Sequence, residues 1–376
     1  MSTARLRLQH RRYRLPFRGP VRTAHGVWTH REGLLLRVED TAGRAGWGEC
    51  APLPGWTTET VDAAEAALRE AGEWAEEAAL DRLPAGLACL RGAVAAARAP
   101  CVLPPEPSAL GVAALLPAGG EAPARMSGFA EAGFRVFKWK VGVGDPADEL
   151  GLLDELCGRL PPGGRLRLDA NGAWERRVAE RWLERCAGRP VEFVEQPVAA
   201  PPGASARDRA RVDDLLRGLA GAFPTPLALD ESLAGDGDVA RWLAEGWPGF
   251  FVLKLTLHAA PAATLEALAR ARARVVFSSA LETRVGAAHA LRLAHLFRGI
   301  PCHVNLIPLN PTTRYDGSPT SHDAAKAFVT VLQEHNIPAT IRVRRGIDID
   351  AGCGHLKAKL SRTRRPESLS EIEDPV

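Results

Sequence analysis

This chain of 376 residues has no C-x-x-C pair, no sustained apolar run and no strong excess of either charge. Its seven cysteines, Cys50, Cys89, Cys101, Cys157, Cys186, Cys302 and Cys353, are scattered and odd in number. That pattern favours a reducing, cytoplasmic compartment and argues against zinc or iron–sulfur ligation. A formal net charge of +3 is too balanced to imply a nucleic-acid or membrane partner by itself. No apolar segment approaches the length of a membrane span; even Leu87–Ala97 is interrupted by Arg91. Met1–Pro16 is studded with arginine and lacks a long apolar stretch, so no signal peptide is expected. What the length does provide is room for two or three domains and a large core. The heavy use of Ala, Arg, Gly and Pro reflects a GC-rich genome rather than function.

The first hundred residues read as α+β. Residues 5–14, 33–39 and 45–49 alternate as strands do, with turn chemistry at Asp40-Thr41-Ala42-Gly43. Thr58–Ala79, rich in Ala and Glu, predicts one helix that starts near Thr58-Glu59-Thr60-Val61. Strands followed by helices mark a separate α+β layer. Two loops, Thr23–Trp28 and Ala51–Trp56, each set a tryptophan beside Gly or Pro. Either they anchor one layer to another, or they cover a ligand site.

From about residue 108 the pattern changes to short apolar strands alternating with helices, the signature of a parallel sheet. Strands are expected at 110–115, 137–141, 166–168, 191–194, 227–229, 250–253 and 275–277. Phe137-Lys138-Trp139-Lys140-Val141 puts both lysines on one face and the apolar residues on the other. The next four strands run into Asp169, Glu195, Asp230 and Lys254, and the last into Ser278-Ser279. One such acid alone reads as a helix N-cap. A series of charged strand ends reads as the mouth of a (β/α) TIM-type barrel, where such folds keep their chemistry.

Three carboxylates meeting there repel one another unless a cation sits among them. An all-oxygen shell with room for water and substrate suits Mg²⁺ rather than zinc. A lysine near that metal and near a second lysine has its neutral amine favoured, which makes it a usable base. Metal plus base suits removal of a proton next to a carboxylate, with the enediolate held on the metal.

The order K-x-K, D-x-N, E-Q-P, D-E-S, K and S-S-x-x-E-T resembles the enolase superfamily, muconate-lactonizing subgroup. Gly46–Gly55 and Phe137–Lys140 are most similar to the o-succinylbenzoate synthase family, and Thr23–Trp28 resembles a lid loop of its cyanobacterial-type members. The resemblance runs over about residues 5–295. It implies Asp169, Glu195 and Asp230 as Mg²⁺ ligands, and Lys140 as the base that takes the α-proton and then assists departure of a hydroxyl. It also implies Lys254 as the stabiliser of the enediolate, Lys138 as the residue that tunes Lys140, and Asn171, Ser278, Ser279 and Arg167 as substrate contacts.

Beyond about Gly299 the likeness changes. Pro301–Pro311 and Arg345–Gly354 resemble the C-terminal end of the radical-SAM adenine methyltransferases of ribosomal and transfer RNA. That resemblance implies that Asn310 touches S-adenosylmethionine and that Cys353 is the methyl-carrying or resolving cysteine. The cluster-binding cysteine triplet such an enzyme needs is absent from this chain. The basic run from Arg342 to Arg365 could touch RNA phosphates, but acidic residues follow at once and a solvated tail is expected. A gene fusion, a frameshift or an assembly error accounts for such a junction equally.

The expected architecture is α/β: an α+β capping domain over 1–100, a (β/α) barrel over 101–298, and a foreign segment over 299–376 whose His303–Ile307 run supplies an eighth strand. The expected activity is a Mg²⁺-dependent dehydration that makes o-succinylbenzoate for quinone biosynthesis, with a small carboxylate as substrate and neither membrane nor nucleic acid as partner. Racemisation of N-acylamino acids or epimerisation of dipeptides, with Lys140 and Lys254 as two bases, is the alternative. An inactive fusion carrying a methyltransferase remnant is the other.

Overall fold

Alternation of apolar and polar residues builds the first sheet. In the computed structural model, which describes residues 5–23, 26–99, 111–201 and 203–296, β1 (Arg5–Thr23) and β2 (Gly26–Glu39) form a long antiparallel hairpin. Its register shifts between Pro16 and Val21, where prolines interrupt the ladder. β3 (Ala45–Cys50) pairs with β2, and with β4 (Trp74–Glu76) the sheet order is β3-β2-β1-β4. Leu6 and Leu8 of β1 and Leu34, Leu36 and Val38 of β2 share one buried face. They pack on α1 (Val61–Ala71) and α3 (Ala88–Arg98) through Leu68, Leu90 and Val94. Contact between α3 and β3 is so close that a Cβ at Gly48 would come within 1.9 Å of Ala93 O.

The single helix expected over Thr58–Ala79 is three elements. Thr60 caps α1, its hydroxyl accepting Ala63 N–H at 3.1 Å, and Gly72, at φ 76°, ends it. Helical propensity continues past that point, but β4 (Trp74–Glu76) pairs with β1, Arg7 opposite Trp74, before α2 (Glu77–Asp81) begins. A glycine in left-handed conformation and an open edge on β1 outweigh the local preference.

Seven parallel strands follow, in chain order across one curled sheet: β5 (Ala114–Leu116), β6 (Val136–Lys140), β7 (Arg165–Asp169), β8 (Val191–Glu195), β9 (Leu227–Leu229), β10 (Phe250–Leu253) and β11 (Arg274–Phe277). α4 (Ala122–Glu131), α5 (Pro146–Arg159), α6 (Arg176–Cys186), α7 (Ala206–Ala222), α8 (Asp236–Ala244) and α9 (Pro261–Arg270) connect them, and α10 (Arg284–Leu296) follows β11. Phe137, Trp139 and Val141 are fully buried in one core with Leu153 of α5 and Trp182 of α6, while Lys138 and Lys140 take the other face. On that inner face Phe193, Ala228, Val252 and Val276 make a separate apolar cluster. The first strand of this sheet is three residues rather than the longer run expected from Leu110. The expected eighth strand, His303–Ile307, and the residues Asn310 and Cys353 lie outside the described residues.

The two sheets are joined by a carboxylate. Glu49 on β3, almost fully buried, accepts Thr283 N–H at 2.9 Å, Gly286 N–H at 2.9 Å, the Thr283 hydroxyl and the Tyr13 hydroxyl at 2.6 Å. It thereby satisfies the N-terminal amides of α10, which a carboxylate suits by charge as well as by hydrogen bonding.

Candidate active site

Strand alternation and parallel register bring the charged strand ends together. Lys140 stands in register with Asp169, and Asp169 with Glu195. Asp169, Glu195 and Asp230 are 7%, 1% and 4% exposed. Lys138 Nζ lies 2.7 Å from Asp169 Oδ2 and 2.7 Å from Glu195 Oε1. Lys254 Nζ pairs with Asp230, and 3.8 Å away on another side lies the ring centre of Trp56, from the capping loop. Both Trp56 and Trp28 pack against the capping core, and Trp56 also reaches the Lys254 ammonium.

Electrostatics here follow from crowding. Burial, then the charge of Asp169, pushes Glu195 well above the usual carboxylate range, against the pull of Lys138. Burial opposes the charge on Lys138, but Asp169, Glu195 and Asp230 outweigh it and hold the ammonium firmly protonated. Glu231, beside Asp230, is pushed up to about 8 by burial and then by Asp230 and Asp169. Its Oε2 is buried without a hydrogen-bond partner among the described residues.

The remaining expected residues sit nearby in different states. Asn171, at φ 45°, donates from Nδ2 to Glu231 Oε1 at 3.1 Å, and its N–H reaches Asp169 Oδ1 at 3.1 Å. Ser278 shares a small cavity, about 10 Å³ and scarcely a water's worth, with Lys138, Glu195 and Arg167. Arg167 is buried, donating from Nε to Glu192 Oε2 at 2.6 Å, with its guanidinium over the Phe193 ring at 5.0 Å. Ser279 Oγ donates to Glu282 Oε2 at 3.1 Å and accepts Leu281 N–H at 3.0 Å.

Three residues that hold this geometry escaped the sequence reading. Gln196, fully buried at φ 37°, accepts Asp230 N–H at 2.9 Å and Ser232 N–H at 3.1 Å, and donates to Val198 O and Ser232 Oγ at 2.8 Å each. It ties the end of β8 to the end of β9. Glu149 on α5 accepts the amides of Gly142, Val143 and Gly144 and pins the loop after β6. Glu231 is the third. Gln196 and Glu231 lay inside the E-Q-P and D-E-S motifs, so the signal was present; Glu149 carried none.

Asp169, Glu195 and Asp230 fit a hard cation by donor type, burial and mutual repulsion, and are the residues that could hold Mg²⁺. Among the described residues, no group of three or more His, Cys, Asp and Glu is arranged as a ready-made metal site. Lys138 and Lys254 engage the acid oxygens in this arrangement.

The family described as Enolase C-terminal domain-like matches residues 121–333, and that described as MenC, N-terminal domain matches residues 6–91. The o-succinylbenzoate synthase of Thermosynechococcus vestitus is 38% identical over 308 residues, covering 79% of this chain and 91% of that protein. The crystal structure of o-succinylbenzoate synthase from Thermosynechococcus elongatus BP-1, complexed with Mg in its active site, superposes with a TM-score of 0.69 at 33% identity, covering 87% of this chain and 99% of that one. A different likeness, to dual-specificity RNA methyltransferase RlmN 1 of Myxococcus xanthus, is 54% identical over 79 residues, 21% of this chain and 22% of that protein. Lysines and acids on the ends of a parallel sheet, a capping sheet latched over them and these two family matches lead to one placement: the chain belongs to the o-succinylbenzoate synthase family of the enolase superfamily.

Proposed function

We propose that this protein is a Mg²⁺-dependent dehydratase that converts a 2-succinyl-6-hydroxycyclohexadiene-1-carboxylate to o-succinylbenzoate for menaquinone or phylloquinone synthesis. The observation that carries this reading is the order of charges across the sheet. Lys140 on β6 and Lys254 after β10 flank the strands that bear Asp169, Glu195 and Asp230, so base and counter-cation stand on either side of the acids.

Asp169, Glu195 and Asp230 would hold Mg²⁺, which when bound supplies positive charge against the negative charge that develops on the substrate carboxylate. Lys140 Nζ takes the α-proton, and the electron pair of the broken C–H bond spreads into the carboxylate. Lys254 faces that charge with its ammonium. The ring C–O bond then breaks, Lys140 returns the proton to the departing hydroxyl, and water leaves behind an aromatic ring. Lys138 keeps a fixed positive charge among the acids. Asn171, Ser278, Ser279 and Arg167 are the proposed substrate contacts, and Trp56 excludes water from the Lys254 side.

A small-molecule carboxylate is thus the partner, and the cytoplasm the compartment, of this reading. No helix among the described residues is long and apolar enough to cross a membrane. The test is an assay of the purified full chain with the cyclohexadiene carboxylate, followed by the ultraviolet absorbance of the aromatic product. Turnover with Mg²⁺ that is abolished by a chelator supports the reading. Absence of turnover at saturating Mg²⁺ contradicts it.

A further inference from the structure

One buried cation lies outside the charge cluster just described. Arg31 on β2 is 5% exposed, and among the described residues the hydrogen-bond partners of its guanidinium are all backbone carbonyls. Nη2 donates to Ala51 O, Nη1 to Pro52 O at 2.8 Å and to Glu32 O at 3.1 Å, and Nε to Leu281 O at 3.2 Å. Burying a guanidinium is costly unless its donors are filled, and here carbonyl dipoles fill them.

Three of those carbonyls, of Ala51, Pro52 and Leu281, belong to two loops that no strand pairing joins among the described residues, while Glu32 is the next residue of β2 itself. Ala51 and Pro52 begin the capping loop that ends in Trp56 on Lys254. Leu281 lies in the loop after β11, three residues beyond Ser278, which shares the cavity of Lys138 and Glu195. Leu281 is itself at φ 59°, a left-handed conformation that a leucine adopts only where its surroundings impose it. Ser279 Oγ takes its N–H and Arg31 takes its carbonyl, so both sides of the strained residue are held. Two residues further on, Glu49 holds Thr283. The barrel loop is therefore gripped by neighbouring capping strands, and of Arg31 and Glu49 it is Arg31 whose side chain also holds the loop that carries Trp56.

We propose that Arg31 is a positioning residue of the active site: its single planar guanidinium fixes the capping loop Ala51–Trp56 against the loop Ser278–Thr283, and so sets where Trp56 at Lys254 stands relative to Ser278 beside Lys138 and Glu195. Its effect on turnover rests on the dehydratase reading above; its effect on loop geometry does not. A planar fork can span three directions at once, whereas an ammonium on a flexible stem cannot. Loss of the fork leaves the strand-end lysines and acids in place, so substrate capture suffers more than chemistry.

The experiment compares wild type, Arg31→Lys and Arg31→Met by steady-state kinetics, and measures acrylamide quenching of Trp56 as the difference between each protein and the same protein carrying Trp56→Phe. Arg31→Lys is expected to raise KM about tenfold or more with kcat changed less than threefold, and to raise the quenching constant of Trp56 at least twofold. Arg31→Met is expected to behave alike or worse; should it fail to fold, Arg31→Lys decides. Wild-type KM and quenching in Arg31→Lys, or a lowered melting temperature with both unchanged, would overturn the proposal. If wild type proves inactive on the cyclohexadiene carboxylate, the functional reading falls and quenching alone judges Arg31: increased access of Trp56 supports the role, and unchanged access ends it.

Discussion

Glu49 Oε2 accepts the amide N–H of Gly286 at 2.9 Å, although the two residues are 237 positions apart in sequence. One buried carboxylate thus serves as the N-terminal cap of a helix on another sheet. Glu49→Ala strands the amides of Thr283 and Gly286 and the hydroxyl of Tyr13. Loss of charge-assisted bonds that leaves buried partners unmet costs about 2–4 kcal/mol. Urea unfolding of the two proteins checks this; an unchanged midpoint would show that the latch carries no stability.

His289 on α10 makes stability depend on pH in a definite direction. Burial, reinforced by the neighbouring Arg292, lowers its imidazole from the ordinary 6.5 to about 4. Between those values the unfolded chain binds a proton that the folded chain refuses. The contribution is therefore fully present above pH 6.5 and is lost as pH falls toward 4, with a slope of up to ~1.4 kcal/mol per pH unit. Unfolding free energies of wild type and His289→Asn across that window should differ in slope, the wild type declining more steeply in acid. Parallel curves would remove His289 from the account.

Much of the parallel sheet was legible because the strands from β7 to β11 are short, largely apolar runs that stop at a charge or a serine, as at Leu227-Ala228-Leu229 before Asp230. The alternation in Phe137–Val141 likewise showed which face carries the lysines. β4 was hidden within an Ala- and Glu-rich tract whose local preference is helical, and only the open edge of β1 accounts for it. β1 itself runs on past the expected end at residue 14, through Pro16 and Pro20 to Thr23. Arg31 and Glu149 were opaque for a common reason: each acts on backbone groups, which have no sequence signature.

Metal binding can be tested apart from turnover. Asp169→Ala, Glu195→Ala and Asp230→Ala should each weaken Mg²⁺ binding measured by calorimetry, since each removes an anionic oxygen donor. Because Lys138 occupies oxygens of Asp169 and Glu195 at 2.7 Å, Lys138→Met should bind Mg²⁺ at least as tightly as wild type. Unchanged affinity in all three acid variants would dissolve the proposed ligand set.

Dehydration and epimerisation make different demands on the same lysines. Incubation in D₂O with N-succinyl amino acids reports exchange at the α-carbon directly. Slow exchange is expected beside rapid dehydration of the cyclohexadiene carboxylate. Fast exchange with racemisation, and no dehydration, would reverse that order.

The central claim is that Lys140 moves the proton in a dehydration carried out at these strand ends. Its most direct test is the single-turnover rate of Lys140→Ala against wild type, both saturated with Mg²⁺ as verified by calorimetry. Removal of a general base predicts a fall of roughly two to four powers of ten with Mg²⁺ affinity close to wild type. A variant that keeps a tenth of the wild-type rate would contradict the account.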